Sequence, residues 1–175
     1  AIASDIEAVA DRLTEMHDTL NRTQEIIRQS ERANAGIALR ELVEAVAEEY
    51  RNAHPEATIA VDISDALVVS AGVALESVIE ELIQNAVIYA DEAADVRVTA
   101  RERGGRIRLT VDDSGPGIPE PDRSVITREV DIDQMTHAQG LGLWFVRWAM
   151  DAYNGGFTLE TGDDGTTVAL EFAKA

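Results

Sequence analysis

The chain of 175 residues contains no cysteine and only one lysine, Lys174. Without cysteine, disulfides and thiolate metal sites are excluded. No apolar run approaches the roughly 18 residues that a membrane-spanning helix needs. The N-terminus begins with a charged amphipathic segment rather than with a signal peptide. We therefore expect a cytoplasmic fragment with no membrane contact of its own, although a longer protein could be membrane-associated through another segment.

Basic residues are scarce: the chain has 15 Lys and Arg but 33 Asp and Glu. Its formal net charge is therefore -18. Nucleic acid requires a positive protein surface, so DNA and RNA are excluded as partners. Such acidity can serve solubility alone. It can also reflect adaptation to high salt, where short screening lengths weaken self-repulsion. The near-absence of lysine favours high salt. The apolar content of 45% predicts a packed core.

The first 34 residues contain neither proline nor glycine and predict one long helix. Steps of four and three separate its apolar residues, as in the a and d positions of heptads. These are Ile2, Ile6, Val9, Leu13, Met16, Leu20 and Ile27, with Thr23 in the remaining seam position. We interpret the pattern as a coiled-coil or bundle seam. A single amphipathic helix lying on its own domain is the alternative.

From Gly36 onward the pattern alternates between helices and strands. Helices are predicted over 39–51, 73–90 and 141–152, and an irregular stretch over 114–139. Strands are predicted over 58–63, 67–70, 96–102, 107–112, 157–161 and 166–172. Hairpins mixed with helices indicate an α+β fold, a two-layer sandwich with helices on one face of a mixed, mostly antiparallel sheet.

A first polar cluster lies on the predicted helix 73–90. Glu81 and Asn85 are four residues apart, so they share one helix face. Their neighbours are apolar, and a buried polar side chain is costly unless it is paired. The oxygen of Asn85 would suit a magnesium ion that bridges triphosphate oxygens. Alternatively, both residues lie on the solvated face.

A second cluster follows a predicted strand. Two glycines around a proline, Gly115 and Gly117, allow the backbone to turn sharply and approach a flat ligand. Asp113, just before them, could accept a hydrogen bond from an exocyclic amine. An ordinary turn would have the same composition.

A third cluster, Gly140 and Gly142, opens the predicted helix 141–152. Glycines at a helix N-terminus leave N–H groups and the positive end of the helix dipole accessible, which suits a phosphate chain. Gly-x-Gly alone is a weak signal.

In this order, the three clusters resemble the GHKL ATPases, the superfamily with the ATP-binding fold of gyrase, chaperone, histidine kinase and mismatch-repair proteins. Segment 81–86 resembles the N-box, 113–119 the first glycine box and 140–143 the second. Residues 36–175 look like the ATP-binding catalytic domain of a sensor histidine kinase. Residues 1–35 then correspond to the second helix of its dimerisation hairpin. The run 140–148, with the acidity, is similar to the haloarchaeal branch.

The resemblance implies a role for each matching residue. Asn85 would hold Mg²⁺ against the phosphates, Asp113 would accept the adenine amino group, and Glu81 would orient a water or act as a base. Segment 114–139 would be a lid that closes over ATP. The residues implied to contact ATP are Asn85, Tyr89, Asp113, Gly115, Gly117, Ile118, His137, Gly140, Leu141, Gly142 and Leu143.

The chain departs from the family pattern at several positions. Ile88 stands where the family often has a basic residue, Ala138 replaces the first glycine of the second box, and the usual lid phenylalanine is not recognisable. Phosphate contacts are therefore expected from the lid, with three candidates: Arg123, Arg128 and His137.

The phosphoacceptor histidine is expected outside this fragment. His17 is followed by Asp18 and Asn21 as in the family, but no room remains for a second helix before the catalytic domain. His17 itself remains the alternative.

The implied function is transfer of the γ-phosphoryl group of Mg·ATP to that histidine, for relay to the receiver domain of a response regulator. Residues 1–34 would form the homodimer. A hydrolysing GHKL ATPase and a nucleotide-sensing module without phosphotransfer remain alternatives.

Overall fold

The structure, a computed structural model, describes residues 35–72, 74–90, 94–118 and 139–175. Several predictions lie outside these residues: the helix over 1–34, the part of the lid over 119–138 with its three basic candidates and Ala138, and the acceptor question at His17. Within the described residues there are seven strands and three helices. In chain order they are β1 (Ala35–Ala38), α1 (Leu39–Ala53), β2 (Thr58–Asp62), β3 (Val68–Ala71), α2 (Leu75–Ile88), β4 (Asp95–Arg103), β5 (Arg106–Asp113), α3 (Gln139–Ala152), β6 (Gly156–Gly162) and β7 (Gly165–Ala173).

Five strands form one sheet in the order β2-β4-β5-β7-β6. The β2–β4 pair is parallel, and the other three pairs are antiparallel. The predicted mixed, mostly antiparallel sheet is therefore confirmed. Both predicted hairpins, β4–β5 and β6–β7, pair across their turns at Gly104–Gly105 and Asp163–Asp164.

One face of this sheet is buried, and the other is open. Along β4, Val96 and Val98 are buried, whereas the alternate residues Arg97 and Arg101 are exposed. This period of two places the apolar side chains toward the helices. The core contains apolar side chains of all three helices and of the sheet, among them Leu39, Val43, Ile79, Ile83, Leu109, Phe145, Met150, Leu170 and Phe172. The α+β fold with helices on one face is confirmed.

A short strand was not predicted. β1 pairs antiparallel with β3 to form a separate two-stranded sheet, with Gly36 opposite Ser70. The sequence around Gly36 predicts no strand, because four residues with one glycine give no alternating pattern. A long-range pairing, rather than local preference, forms this strand.

The remaining differences concern the ends of elements. β3 lies one residue later than predicted, and α2 begins at Leu75 and ends at Ile88 rather than spanning 73–90. α1 continues to Ala53, and its C-cap His54 has non-helical backbone angles (φ −128°, ψ 72°) because proline follows it. Among the described residues, no helix is long and apolar enough to cross a membrane.

Candidate functional site

A cleft of about 490 Å³, counting its open mouth, lies between α2, the end of β5 and β7. Its walls combine one helix face, one glycine-containing turn and the inner face of the sheet. The lining residues are Leu82, Asn85, Ala86, Tyr89, Val111, Asp113, Pro116, Gly117, Ile118, Leu143, Thr166 and Val168. Apolar side chains predominate, with a few polar groups converging among them. Small-molecule sites typically have this composition.

Asp113, the last residue of β5, is held by two backbone N–H groups. Its Oδ1 accepts from the amide of Gly115 at 2.9 Å and from that of Thr166 at 3.2 Å. Burial raises the pKa of this carboxyl, the two N–H donors partly oppose the rise, and the negative charge of Asp112 adds to it. Within the described residues, Oδ2 accepts no hydrogen bond, so it remains as an acceptor for a ligand.

The turn after Asp113 packs closely on the β6–β7 hairpin. Gly117 has φ +79°, and a Cβ there would lie 2.3 Å from the carbonyl oxygen of Gly162. No side chain fits that space, so this position requires glycine. The amide of Ile118 donates to Thr161 Oγ1 at 2.8 Å. The backbone at Gly117 therefore approaches the hairpin closely, and its approach to a flat ligand stays a prediction.

The predicted N-box face contacts the second glycine box. A Cβ on Gly142 of α3 would lie 2.2 Å from Glu81 Oε2 and 3.4 Å from Asn85 Nδ2. Asn85 Nδ2 is buried and has no hydrogen-bond partner among the described residues. A buried amide needs a partner, and a ligand or water in the cleft can provide one.

The side-chain amide of Asn85 has groups that fit both a nucleotide and its metal ion. As placed, its N–H group suits an acceptor such as a phosphate oxygen, and a half-turn of the amide would present its oxygen to a cation. Among the described residues, no cluster of three or more His, Asp or Glu side chains could hold a metal ion by itself. A cation here would therefore depend on ligand oxygens as well as on Asn85, as a magnesium–phosphate complex provides.

The structure brings most of the predicted site residues together. Six of them line the cleft: Asn85, Tyr89, Asp113, Gly117, Ile118 and Leu143. Gly115 lies beside it through its bond to Asp113, and Glu81 and Gly142 lie beside Asn85. Gly140 and Leu141 belong to the first turn of α3. His137 lies outside the described residues.

Sequence reasoning missed six lining residues: Leu82, Ala86, Val111, Pro116, Thr166 and Val168. Helical spacing could have indicated Leu82, three residues before Asn85, and Ala86, four residues after Leu82. Thr166 and Val168 have no such local signal. They reach the cleft because β7 pairs with β5, with Thr166 opposite Asp113.

Two apolar side chains are exposed at the end of α2. Ile88 is 50% exposed and Tyr89 39%. Ile88 thus stands in solvent where a basic residue was expected, and Tyr89 lines the mouth of the cleft.

Known proteins share this combination of sequence and fold. The family of histidine kinase-, DNA gyrase B- and HSP90-like ATPases matches residues 70–175. The sensor protein kinase CarS of Pseudomonas aeruginosa is 39% identical over 80 residues, which cover 45% of this chain and 18% of CarS. The C4-dicarboxylate transport sensor protein DctB of Rhizobium meliloti is 34% identical over 103 residues, which cover 58% of this chain and 16% of DctB.

Among solved structures, the catalytic domain of the histidine kinase ThkA shares the fold. Its TM-score is 0.67 at 23% identity, covering 80% of this chain and 95% of that domain. The chain spans less than a fifth of the length of the two curated relatives.

Proposed function

The chain belongs to the family of histidine kinase-, DNA gyrase B- and HSP90-like ATPases, and we propose that it is the ATP-binding catalytic domain of a cytoplasmic sensor histidine kinase. One observation carries the proposal. A half-buried carboxylate, with one oxygen anchored by two backbone amides, lines the same cleft as a buried amide nitrogen that has no partner among the described residues.

Asp113 is proposed to bind the adenine. Because Oδ1 is occupied by the amides of Gly115 and Thr166, Oδ2 is the oxygen that can accept from the adenine amino group. Guanine has a carbonyl oxygen at that position, which would repel the carboxylate, so ATP is favoured over GTP. Gly117 and Ile118 would lie along the base, with Tyr89 and Leu143 opposite the sheet.

The phosphates are proposed to lie toward α3. The N–H groups at its start, at Gly140, Leu141 and Gly142, suit phosphate oxygens. Asn85 is the residue that would hold Mg²⁺, and Glu81 would orient a water beside it. The ion, when bound, supplies neutralisation of the triphosphate charge. His137 would add a phosphate contact.

The proposed reaction is phosphoryl transfer. A ring nitrogen of a histidine outside this fragment attacks the γ-phosphorus, the bond to the bridging β–γ oxygen breaks, and ADP leaves. Positioning and charge neutralisation supply most of the catalysis of such reactions. The phosphoryl group would then pass to an aspartate of a response regulator. Residues 1–34 are proposed to form the dimer that carries the acceptor helices.

A second candidate is a nucleotide-sensing module that binds ATP without transferring phosphate. Ile88 favours it, because an exposed apolar side chain at this position provides no phosphate contact. A hydrolysing ATPase with Glu81 as base is the third candidate. No described geometry favours it over transfer.

A reconstitution experiment distinguishes the kinase, the nucleotide-sensing module and the hydrolysing ATPase. The chain is mixed with ATP labelled at the γ-position and with the dimerisation helices of the same full-length protein. Label on histidine supports the kinase, free phosphate supports the ATPase, and nucleotide binding without either supports the sensor. Asp113→Asn is the control and should abolish all three signals.

We further propose that the chain is adapted to high salt, as its net charge of -18 and single lysine suggest. Screening of like charges should then stabilise the fold. Melting across a series of KCl concentrations tests this. A melting temperature that does not rise between low and molar salt would contradict it.

A further inference from the structure

Within the part of the chain that the structure describes, a single hydroxyl group forms the hydrogen bond that joins the turn in the cleft wall to the β6–β7 hairpin. Among the described residues, the backbone of segment 114–118 makes two hydrogen bonds. The amide of Gly115 donates to Asp113, its near neighbour in sequence, and the amide of Ile118 donates to Thr161 Oγ1 at 2.8 Å. Thr161 is therefore the point at which this wall is joined to the β6–β7 hairpin.

The same hydroxyl group also contacts a residue on the floor of the cleft. Thr161 Oγ1 lies 3.2 Å from Thr166 Oγ1, and the amide of Thr166 donates to Asp113. A hydroxyl that accepts from an amide still has its own hydrogen to donate. Thr161 can thus accept from Ile118 and donate to Thr166, which joins the wall and the floor in one network. Thr166 is only 7% exposed and Thr161 is half-buried, so this network is partly screened from water.

We infer that Thr161 is a positioning residue for nucleotide binding, an inference that rests on the proposed function. Thr161 does not line the cleft and would not touch the ligand. It acts through Ile118, which lies on the wall, and through Thr166, which lies beside Asp113. Its hydroxyl holds these two groups at the separation that the base requires.

The steric arrangement explains why another side chain could not replace this contact. Gly117 rests against Gly162, and a Cβ on Gly117 would lie 3.0 Å from Thr161 Oγ1 and 2.3 Å from the Gly162 carbonyl oxygen. The wall therefore meets the hairpin through backbone and one hydroxyl, without an interlocking side chain. Loss of the hydroxyl leaves the Ile118 amide without its acceptor and lets the turn move away from β6.

Affinity measurements on the complete 175-residue chain test the inference. Thr161→Val keeps the shape and removes the hydroxyl, and ATP binding measured by calorimetry should weaken about tenfold. Thr161→Ser restores the hydroxyl and should bind within about threefold of the wild type. Thr158→Val, on the exposed face of the same strand, is the matched control and should bind like the wild type.

Equal binding by Thr161→Val and the wild type would overturn the inference while leaving the proposed function intact. So would Thr161→Ser binding as weakly as Thr161→Val, because the methyl group and not the hydroxyl would then matter. A wild type that binds no ATP would overturn the proposed function and the inference with it.

Amide exchange adds a measurement that does not depend on ATP. In the nucleotide-free chain, the Ile118 amide should exchange at least about tenfold faster in Thr161→Val than in the wild type or in Thr161→Ser. Unchanged exchange would show that the Thr161 hydroxyl does not hold the turn, and would overturn the inference.

Discussion

Gly142 on α3 lies directly against Glu81 on α2, so that a Cβ at position 142 would stand 2.2 Å from Glu81 Oε2. The contact joins the N-box face to the second glycine box. The atom in the way is the end of a flexible side chain, whereas the nearest atom of another residue, Asn85 Nδ2, is at an ordinary distance of 3.4 Å. A methyl group here would therefore displace a carboxylate rather than a backbone.

The first prediction concerns Gly142→Ala. Glu81 can rotate away, and alanine is favoured over glycine within a helix by about 1 kcal/mol, so the melting temperature should stay near that of the wild type. Phosphotransfer in the reconstituted system should fall severalfold, because the carboxylate leaves its place beside Asn85. Glu81→Gln is the control and should show a similar fall. A Gly142→Ala variant with a clearly lower melting temperature than the wild type, or with a wild-type rate of phosphotransfer, would contradict this explanation.

The second prediction concerns Gly165→Ala, which should destabilise the fold by about 2–4 kcal/mol. Gly165 has φ +132°, and its Cβ would lie 2.0 Å from the Asp113 carbonyl oxygen, a backbone atom with no freedom to move. Urea denaturation gives the free energy of unfolding.

Gly162, in the same hairpin, provides the matched control for Gly165. A Cβ there meets nothing within 4 Å, so Gly162→Ala should change stability by less than about 1 kcal/mol. Equal losses in the two variants would show that the contact with Asp113 is not the cause.

The third prediction concerns pH and Asp113. Burial raises the pKa of this carboxyl above its ordinary value of 3.8. The folded state thus holds the proton more tightly than the unfolded chain. The stability that the protonated Asp113 carboxyl contributes is present below pH 3.8. It is lost as the pH rises through the pKa that this carboxyl has in the folded state.

Asp113→Asn removes this ionisation while its Oδ1 can still accept from Gly115 and Thr166. The variant should melt at or above the wild-type temperature at pH 7, and its advantage should shrink as the pH falls toward 3.8. ATP binding should nevertheless be lost, because an amide N–H replaces the acceptor Oδ2. Thermal melts and calorimetry over this pH range measure both effects. An Asp113→Asn variant that melts below the wild-type temperature at pH 7 but still binds ATP would refute the role of Asp113 as the acceptor for adenine.

The fourth prediction concerns Tyr153, whose ring packs on Gly72. Burial raises the pKa of its hydroxyl to about 12, and the backbone N–H of Ala74 only partly opposes the rise. That N–H lies near the hydroxyl without the geometry of a hydrogen bond, since the oxygen has no partner by distance and angle among the described residues. The stability that this phenol contributes is present below pH 10 and is lost as the pH rises from 10 to 12.

Tyr153→Phe should therefore be as stable as the wild type at pH 7 or slightly more stable, because it removes a polar atom without a partner. Between pH 10 and 12 it should lose less stability than the wild type does. Denaturant titrations at pH 7, 10 and 12 measure the difference. Parallel losses in both proteins would show that Tyr153 is not the group that titrates.

Much of the site could be predicted because its signals are local. Glu81 and Asn85 share a face by helical spacing, and the Gly-Pro-Gly turn after Asp113 depends on backbone freedom at neighbouring residues. Membership of the ATPase family followed from the order of these clusters, and the α+β fold followed from hairpins mixed with helices; both are confirmed. The assignment of individual residues to ATP stays a proposal.

The sequence by itself determined the three helices, six of the seven strands and the chemical groups available, because periodicity and backbone preference act over a few residues. Only the tertiary structure decided that Asp113 faces Thr166, that Ile118 bonds to Thr161 and that Glu81 meets Gly142. These partners lie 43 or more residues apart. Their meeting depends on strand register and on the packing of two helices, which no local pattern encodes.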